Sequence, residues 1–209
     1  MSERLLILLR HGEAKYDPGL TDENGSPDGP LSERGRRQAE LAGQRLSGRE
    51  ITTLHHSMLE RAAQTARVVR EQIPDLPMHG TDLLRECIPS VPPDDRLTAD
   101  QREFFAGWPN RVLISGAARA RALLAIFASN TDDDQVDLLV THGNVIAWFV
   151  CHALGAPAWT WVNLPTHSCG ALSAIAYRDG RPPVLLAYND AGHLPAELRA
   201  TDTQPSWRI

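Results

Sequence analysis

Two apolar runs, Leu5 to Leu9 and Val136 to Val140, both end on a polar residue, a histidine and a glycine: Arg10-His11-Gly12 and Thr141-His142-Gly143. The first run is apolar without alternation, which is the pattern of a strand buried on both faces and predicts a central position in an α/β sheet. Ligands of open α/β sheets bind outside the carboxyl ends of the strands, so both imidazoles are expected to face one crevice. One His-Gly pair is an ordinary polar strand end; two such endings shift the balance towards a site. Glycine at 12 and 143 lets backbone N–H groups approach a ligand closely.

The rest of the chain alternates in the same way. Residues 14–30 carry Pro18, Gly19, Gly25, Pro27, Gly29 and Pro30 and are expected as a loop. Ser32 is expected to cap a helix to about Leu46 that buries Ala39, Ala42 and Leu46. A β-prone run from Ile51 to His55 precedes Ser57, read as the cap of a helix from about Met58 to Gln72 that Pro74 ends. A third strand is expected around Asp82 to Leu84, then a proline-rich loop from Cys87 to Asp95 and a helix from about Val112 to Ala128. A helix from Val145 to Leu154 follows the second apolar run, and strands over 170–177 and 183–188 close the chain. No repeat or linker interrupts it. The expectation is one domain over residues 1–209, a three-layer α/β/α sandwich with a mostly parallel central sheet.

Composition restricts what such a crevice binds. With 26 acidic and 21 basic side chains the net charge is −5, which gives no overall attraction to nucleic acid or to an anionic membrane. Lys15 is the one lysine, so an anion site here is built from guanidinium groups, the better match to bidentate oxyanions. Cys87, Cys151 and Cys169 are widely spaced and odd in number, which supports neither a disulfide framework nor a zinc knuckle and points to the reducing cytoplasm. The apolar runs are too short for a signal-peptide core or a membrane span.

Two further residues join the histidines. Arg61 falls in the first turn of the helix after Ser57, where unpaired N–H groups already favour an anion. Glu86 follows the third expected strand, and a carboxyl group partly desolvated there has a raised pKa and suits a general acid. Taken alone, Arg61 is as readily a solvated surface residue and Glu86 a surface ion pair. Together Arg10, His11, Arg61, Glu86 and His142 provide what phosphoryl transfer through a covalent phosphohistidine requires: a nucleophile, cationic clamps and a proton donor. His55, His56, His79, His152 and His167 are read as structural or surface residues.

With these stretches in place the sequence resembles the histidine phosphatase superfamily, also called phosphoglycerate-mutase-like. The matching motifs are Leu9-Arg10-His11-Gly12-Glu13, Pro30-Leu31-Ser32-Glu33-Arg34-Gly35 with Gln38-Ala39, and Ser57 through Ala66. Leu84-Arg85-Glu86 and Val140-Thr141-His142-Gly143-Asn144 complete them in the family's order. The resemblance implies His11 as the nucleophile, Arg10, Arg61, His142 and Gly143 around the phosphoryl oxygens, and Glu86 as the acid and then the base. It implies no metal and no cofactor. Thr81 to Glu86, Asn144-Val145-Ile146 and Asp190 to Pro195 are most similar to the protein serine/threonine phosphatase branch. The implied substrate is a phosphorylated protein or a small phosphomonoester, and a homodimer is compatible with the sequence. Asp17 stands where many members carry an asparagine that donates to phosphate, which an ionised Asp cannot do. Cys87 replaces a glycine common after the acid.

The alternatives are a phosphoglycerate mutase or small-metabolite phosphatase and, in another class, a catalytically silent phosphate-binding module, which the retained nucleophile and acid speak against. Asp132-Asp133-Asp134-Gln135-Val136 resembles an aspartyl-phosphatase motif, but it precedes a strand where that motif must follow one. A cysteine phosphatase is excluded, because six positions after the three cysteines stand Pro93, Pro157 and Ile175 in place of arginine.

Overall fold

The computed structural model describes residues 2–21 and 27–199. The apolar run at the start forms β1 (Glu3–Arg10), and its neighbours in the six-stranded sheet are β6 (Gln135–Thr141) and β7 (Leu172–Arg178). β4 (Thr53–Ser57) and β5 (Met78–Thr81) extend the sheet on one side and β8 (Val184–Asp190) on the other, in the order β5-β4-β6-β1-β7-β8. The first four run parallel, β7 runs antiparallel to β1, and β8 runs antiparallel to β7 and so in the direction of the first four. β1 and β6 pair in register from Arg4 opposite Gln135 to Arg10 opposite Thr141, so the residues after both strands emerge at one edge.

Successive side chains of β1 divide between two cores, as the two-residue period of a strand requires. Ile7 and Leu9 pack with Leu54, Leu138 and Val140 beneath α1 (Glu33–Leu46) and α2 (Glu60–Glu71). Leu6 and Leu8 pack with Leu139 beneath α4 (Asn110–Phe127) and α5 (Gly143–Ala153), which supply Leu123, Ile146 and Phe149. This is the three-layer α/β/α sandwich with a mostly parallel sheet. Among the described residues no helix is long and apolar enough to cross a membrane.

Helix α1 begins where expected: Ser32 Oγ accepts from the Gly35 N–H at 3.0 Å, and Ala39, Ala42 and Leu46 are buried. Three local expectations are corrected and one helix is added. Residues 14–30 hold a two-stranded antiparallel ribbon, β2 (Asp17–Thr21) and β3 (Pro27–Asp28), because pairing of Asp17 with Asp28 outweighs the turn-forming composition; Gly25 lies outside the described residues. The third strand is β5, and Asp82–Leu84 is a 3-10 turn whose start is fixed by Thr81 Oγ1 accepting from the Leu83 N–H at 3.2 Å. Ser57 ends β4 and is not the cap of α2; that position belongs to Leu59, which has no capping side chain. The helix α3 (Ala99–Ala106) was not expected, although Thr98 and Gln101 form a capping box readable from their spacing.

The amino-terminal end of the sheet carries a buried ion pair. Arg4 Nη2 lies 2.6 Å from Asp137 Oδ2, Arg4 Nη1 donates to the Ile126 carbonyl at 2.9 Å, and Gln135 Nε2 donates to Asp137 Oδ1 at 2.8 Å. Removing one partner leaves a buried charge without compensation, so Asp137→Ala is expected to cost about 3–5 kcal/mol in urea unfolding. The pair is six strand residues from Arg10, about 20 Å at the usual rise. Turnover of the folded fraction is therefore expected to stay at its wild-type value; a fall in turnover without a fall in stability would contradict this placement.

Candidate active site

The carboxyl ends of β1 and β6 bring His11 and His142 together, with ring centroids 5.0 Å apart. Both rings are buried. His11 Nδ1 is 2.8 Å from the Gly12 carbonyl oxygen, which only accepts, so the ring proton resides on Nδ1. The other nitrogen, Nε2, then keeps its lone pair and receives a hydrogen bond from Arg61 Nε at 3.1 Å. The loop that aims the ring is packed against the start of α1: a Cβ at Gly12 would overlap the Gly35 carbonyl oxygen. The Gly12 N–H is taken by Thr65 Oγ1 at 3.0 Å.

Arg61, the second residue of α2, is buried beside His11 Nε2, and the residue that fixes it is Asp28. Asp28 Oδ1 accepts from Arg61 Nη1 at 3.0 Å, and its Oδ2 accepts the Glu60 N–H at 2.9 Å. One carboxylate thus supplies the missing cap of α2 and orients its arginine. Asp28→Ala is expected to lose about 1 kcal/mol of stability as a helix cap. It is also expected to lower kcat/KM about tenfold through the loosened guanidinium. A variant that lost the stability and kept full kcat/KM would show that Arg61 holds its place without Asp28. The Arg61 guanidinium carbon also lies 5.6 Å from the centroid of the half-exposed Tyr16 ring.

Arg10 enters from the end of β1. Its Nη1 donates to the His167 carbonyl, and its Nε is buried without a partner, close to Gly143. His167 is itself buried, with Nε2 2.9 Å from Ser173 Oγ, so the carbonyl that anchors Arg10 is held from behind. His142 Nε2 lies 2.8 Å from Ser57 Oγ, and its Nδ1 is buried without a partner. Burial, followed by Arg10 and Arg61, holds the His11 pKa well below its ordinary value. Burial, then Arg61, His11, Arg10 and Arg119, does the same to His142. Both imidazoles are neutral at pH 7.

Glu86 follows the 3-10 turn and not a strand end, yet it reaches the same edge. Burial raises its pKa to about 7, against the opposing pull of Arg61, Arg10 and the N–H groups of Cys87 and Asn144. Asn144 Nδ2 donates to the Cys87 carbonyl at 3.2 Å, which ties the segment after Glu86 to the first turn of α5. Cys87 therefore contributes its backbone, and burial pushes its thiol up to about 12. The exposed Asp17 carboxylate accepts from the Gly19 N–H at 2.8 Å. The fold brings Arg10, His11, Arg61, Glu86, His142 and Gly143 to one edge of the sheet. Sequence reasoning missed Asp28, Thr65, Arg119 and the carbonyl of His167. It had assigned Ser57 to a helix cap. Among the described residues no group of three or more His, Cys, Asp or Glu side chains is placed to hold a metal ion.

A buried pair of neutral imidazoles among arginines, with a carboxyl group titrating near neutrality, belongs to the class of α/β enzymes that handle phosphoryl groups. The sequence model of the histidine phosphatase superfamily (branch 1) matches residues 6–191, and the chain belongs to that superfamily. It is 30% identical over 200 residues to the serine/threonine-protein phosphatase PGAM5, mitochondrial, of Xenopus laevis, covering 93% of this chain and 68% of that protein. The Homo sapiens protein of the same name is 29% identical over 196 residues, with 93% and 65% covered. The chain thus spans about two thirds of the length of these relatives. Among solved structures, Bacillus stearothermophilus YhfR aligns over 91% of this chain and 98% of its own, with a TM-score of 0.68 and 24% identity. A mycobacterial glucosyl-3-phosphoglycerate phosphatase aligns over 90% and 99%, with a TM-score of 0.63 and 26% identity. The protein is a phosphoric monoester hydrolase. The cytoplasmic location expected from the cysteines and short apolar runs is overturned, since the PGAM5 relatives are named as mitochondrial proteins.

Proposed function

We propose that the protein hydrolyses phosphomonoesters through a phosphohistidine on His11 Nε2, and that its substrate is phosphoserine or phosphothreonine in a protein. The observation that carries the mechanism is the hydrogen bond from His11 Nδ1 to Gly12, which leaves Nε2 with its lone pair among the cationic groups. Nε2 attacks phosphorus, the bond from phosphorus to the leaving oxygen breaks, and Glu86 gives that oxygen its proton. Water then attacks phosphorus and loses a proton to the Glu86 carboxylate. The phosphorus–nitrogen bond breaks and its electron pair returns to Nε2.

The clamps divide by their partners. Arg61 Nε exchanges His11 for a phosphoryl oxygen, and the unpartnered Arg10 Nε takes another. Ser57 Oγ accepts from the Leu59 N–H at 3.2 Å and is free to give its own proton to His142 Nε2. The imidazole proton then sits on the unpartnered Nδ1 as a donor to oxyanion. The protein-substrate reading is supported by the names of the PGAM5 relatives.

The test is a quench experiment with a phosphate-labelled phosphoserine peptide in the presence of EDTA. It is expected to trap an enzyme-bound label that survives alkali and is lost in acid. Label absent at every time point during turnover would remove the covalent intermediate. Isomerisation of 3-phosphoglycerate faster than peptide dephosphorylation would reassign the substrate.

A further inference from the structure

Beside Glu86 lies a cleft of about 50 Å3 lined by Glu86, Asn144, Ile88, Phe104, Trp108 and Arg119 among others. None of Arg10, His11, Arg61 or His142 lines it. An acid that protonates the leaving oxygen stands between the phosphoryl group and the rest of the substrate. A cleft that Glu86 lines and the phosphoryl-binding groups do not is therefore placed for the body of the leaving group.

Arg119 is the unusual member of this cleft. The buried arginines Arg4 and Arg61 are paired with Asp137 and Asp28. Arg119, half-buried on α4, has no carboxylate within ion-pair distance among the described residues, and its hydrogen bond to the Glu86 carbonyl is long at 3.5 Å. The neighbouring Cys87 thiol does not supply an anion, since burial keeps it protonated. A partly desolvated guanidinium without a counter-charge favours a carboxylate that accepts two parallel hydrogen bonds. The walls are apolar, and Phe104, 48% exposed, stands at the rim 6.2 Å from Trp108. At about 30 Å3 per water in the liquid the space is the size of roughly two waters. That suits a carboxylate on a short methylene stem better than a sugar ring.

We propose that Arg119 and the apolar walls of this cleft form a specificity subsite for the side-chain carboxylate of a glutamate or aspartate flanking the phosphorylated residue. The proposal rests on the protein-substrate reading above. Its test uses the full chain carrying His11→Ala, which binds without turnover. Labelled pentapeptides with a central phosphoserine carry, at each flanking position in turn, glutamate or its isostere glutamine in place of alanine, and anisotropy gives their affinities.

At one flank glutamate is expected to bind about tenfold more tightly than glutamine, the size of a charge-assisted contact at a half-buried arginine. Adding Arg119→Gln is expected to bring that ratio to within about twofold, and Arg119→Lys to keep part of it. Equal affinities at every flank, a ratio that survives Arg119→Gln, or no measurable binding of any peptide would each overturn the subsite. Displacement of the glutamate peptide by 3-phosphoglycerate at lower concentration than by unlabelled peptide would give the arginine to a small acid and overturn it as well. Phosphate release by the wild-type chain from the glutamine peptides reports separately on the phosphatase reading, so the two fail independently.

Discussion

His11→Ala is expected to lower kcat for p-nitrophenyl phosphate and for a phosphoserine peptide by at least about a thousandfold, because the covalent route loses its nucleophile and no other group replaces it. The other imidazole in the site, His142, is held through Nε2 by Ser57 at 2.8 Å. The side chain of His11 makes a bond to its own loop and one to Arg61, so the strand beneath it keeps its pairing with β6. Circular dichroism and the urea midpoint of the variant are expected to stay near those of the wild type. Free imidazole added at high concentration should restore part of the lost rate, since the truncation opens a ring-sized space in a buried pocket. Turnover within about tenfold of the wild type would take His11 out of the chemistry.

Glu86→Gln has the second-largest expected effect, and it depends on the leaving group. For a phosphoserine peptide the departing alkoxide needs a proton, and kcat is expected to fall about a hundredfold. For p-nitrophenyl phosphate the departing phenolate is stable without one, and the fall should be much smaller. The pH profile supplies the sign. Glu86 must carry its proton to act as the acid, and with a pKa raised to about 7 it loses that proton through neutrality. Wild-type kcat/KM for the peptide should therefore decline as pH rises through about 7, and the decline should vanish in Glu86→Gln. A decline with the same midpoint in the variant would assign it to another group.

The same shift has a linked effect on stability. A carboxyl whose folded pKa lies above its ordinary 4.5 holds an extra proton in the native state between the two values. Its contribution is most favourable below about pH 4.5 and is lost as pH rises to about 7. Relative to the wild type, Glu86→Gln should thus be more stable at pH 8 than at pH 5.

The strands that end on His11 and His142 were legible because burial on both faces leaves an apolar signature and the sheet edge is where such runs stop. Asp28 was not legible, because its partners Glu60 and Arg61 lie more than thirty positions away and its own neighbours, proline and glycine, signal only a turn. The His167 contact to Arg10 runs through a backbone carbonyl, which carries no mark of residue type. Arg119 stands on α4 with Arg111 and Arg121, and the sequence alone does not say which of the three turns towards Glu86. Ser57 was noticed for the right chemistry, a hydroxyl oxygen accepting from the chain after β4, but its second bond to His142 needed β4 and β6 side by side. The strand misplaced at Asp82–Leu84 was drawn there by Leu83 and Leu84, whose apolar character serves the core from a turn.

The separation of the two imidazoles, 5.0 Å between centroids, is close to the 4.7–4.9 Å between neighbouring strands, and Arg10 stands opposite Thr141 in the ladder. The ruler for the reacting centre is thus the main-chain hydrogen bonding of β1 and β6, which changes of side chain elsewhere leave untouched. The cleft proposed for the leaving group is lined instead from the turn after β5, the proline-rich stretch, α3 and α4, with Asn144 of α5. Redesign of the side chains between residues 88 and 116 is therefore a route to new specificity that keeps Cys87 and Arg119 in place beside Glu86 and His142.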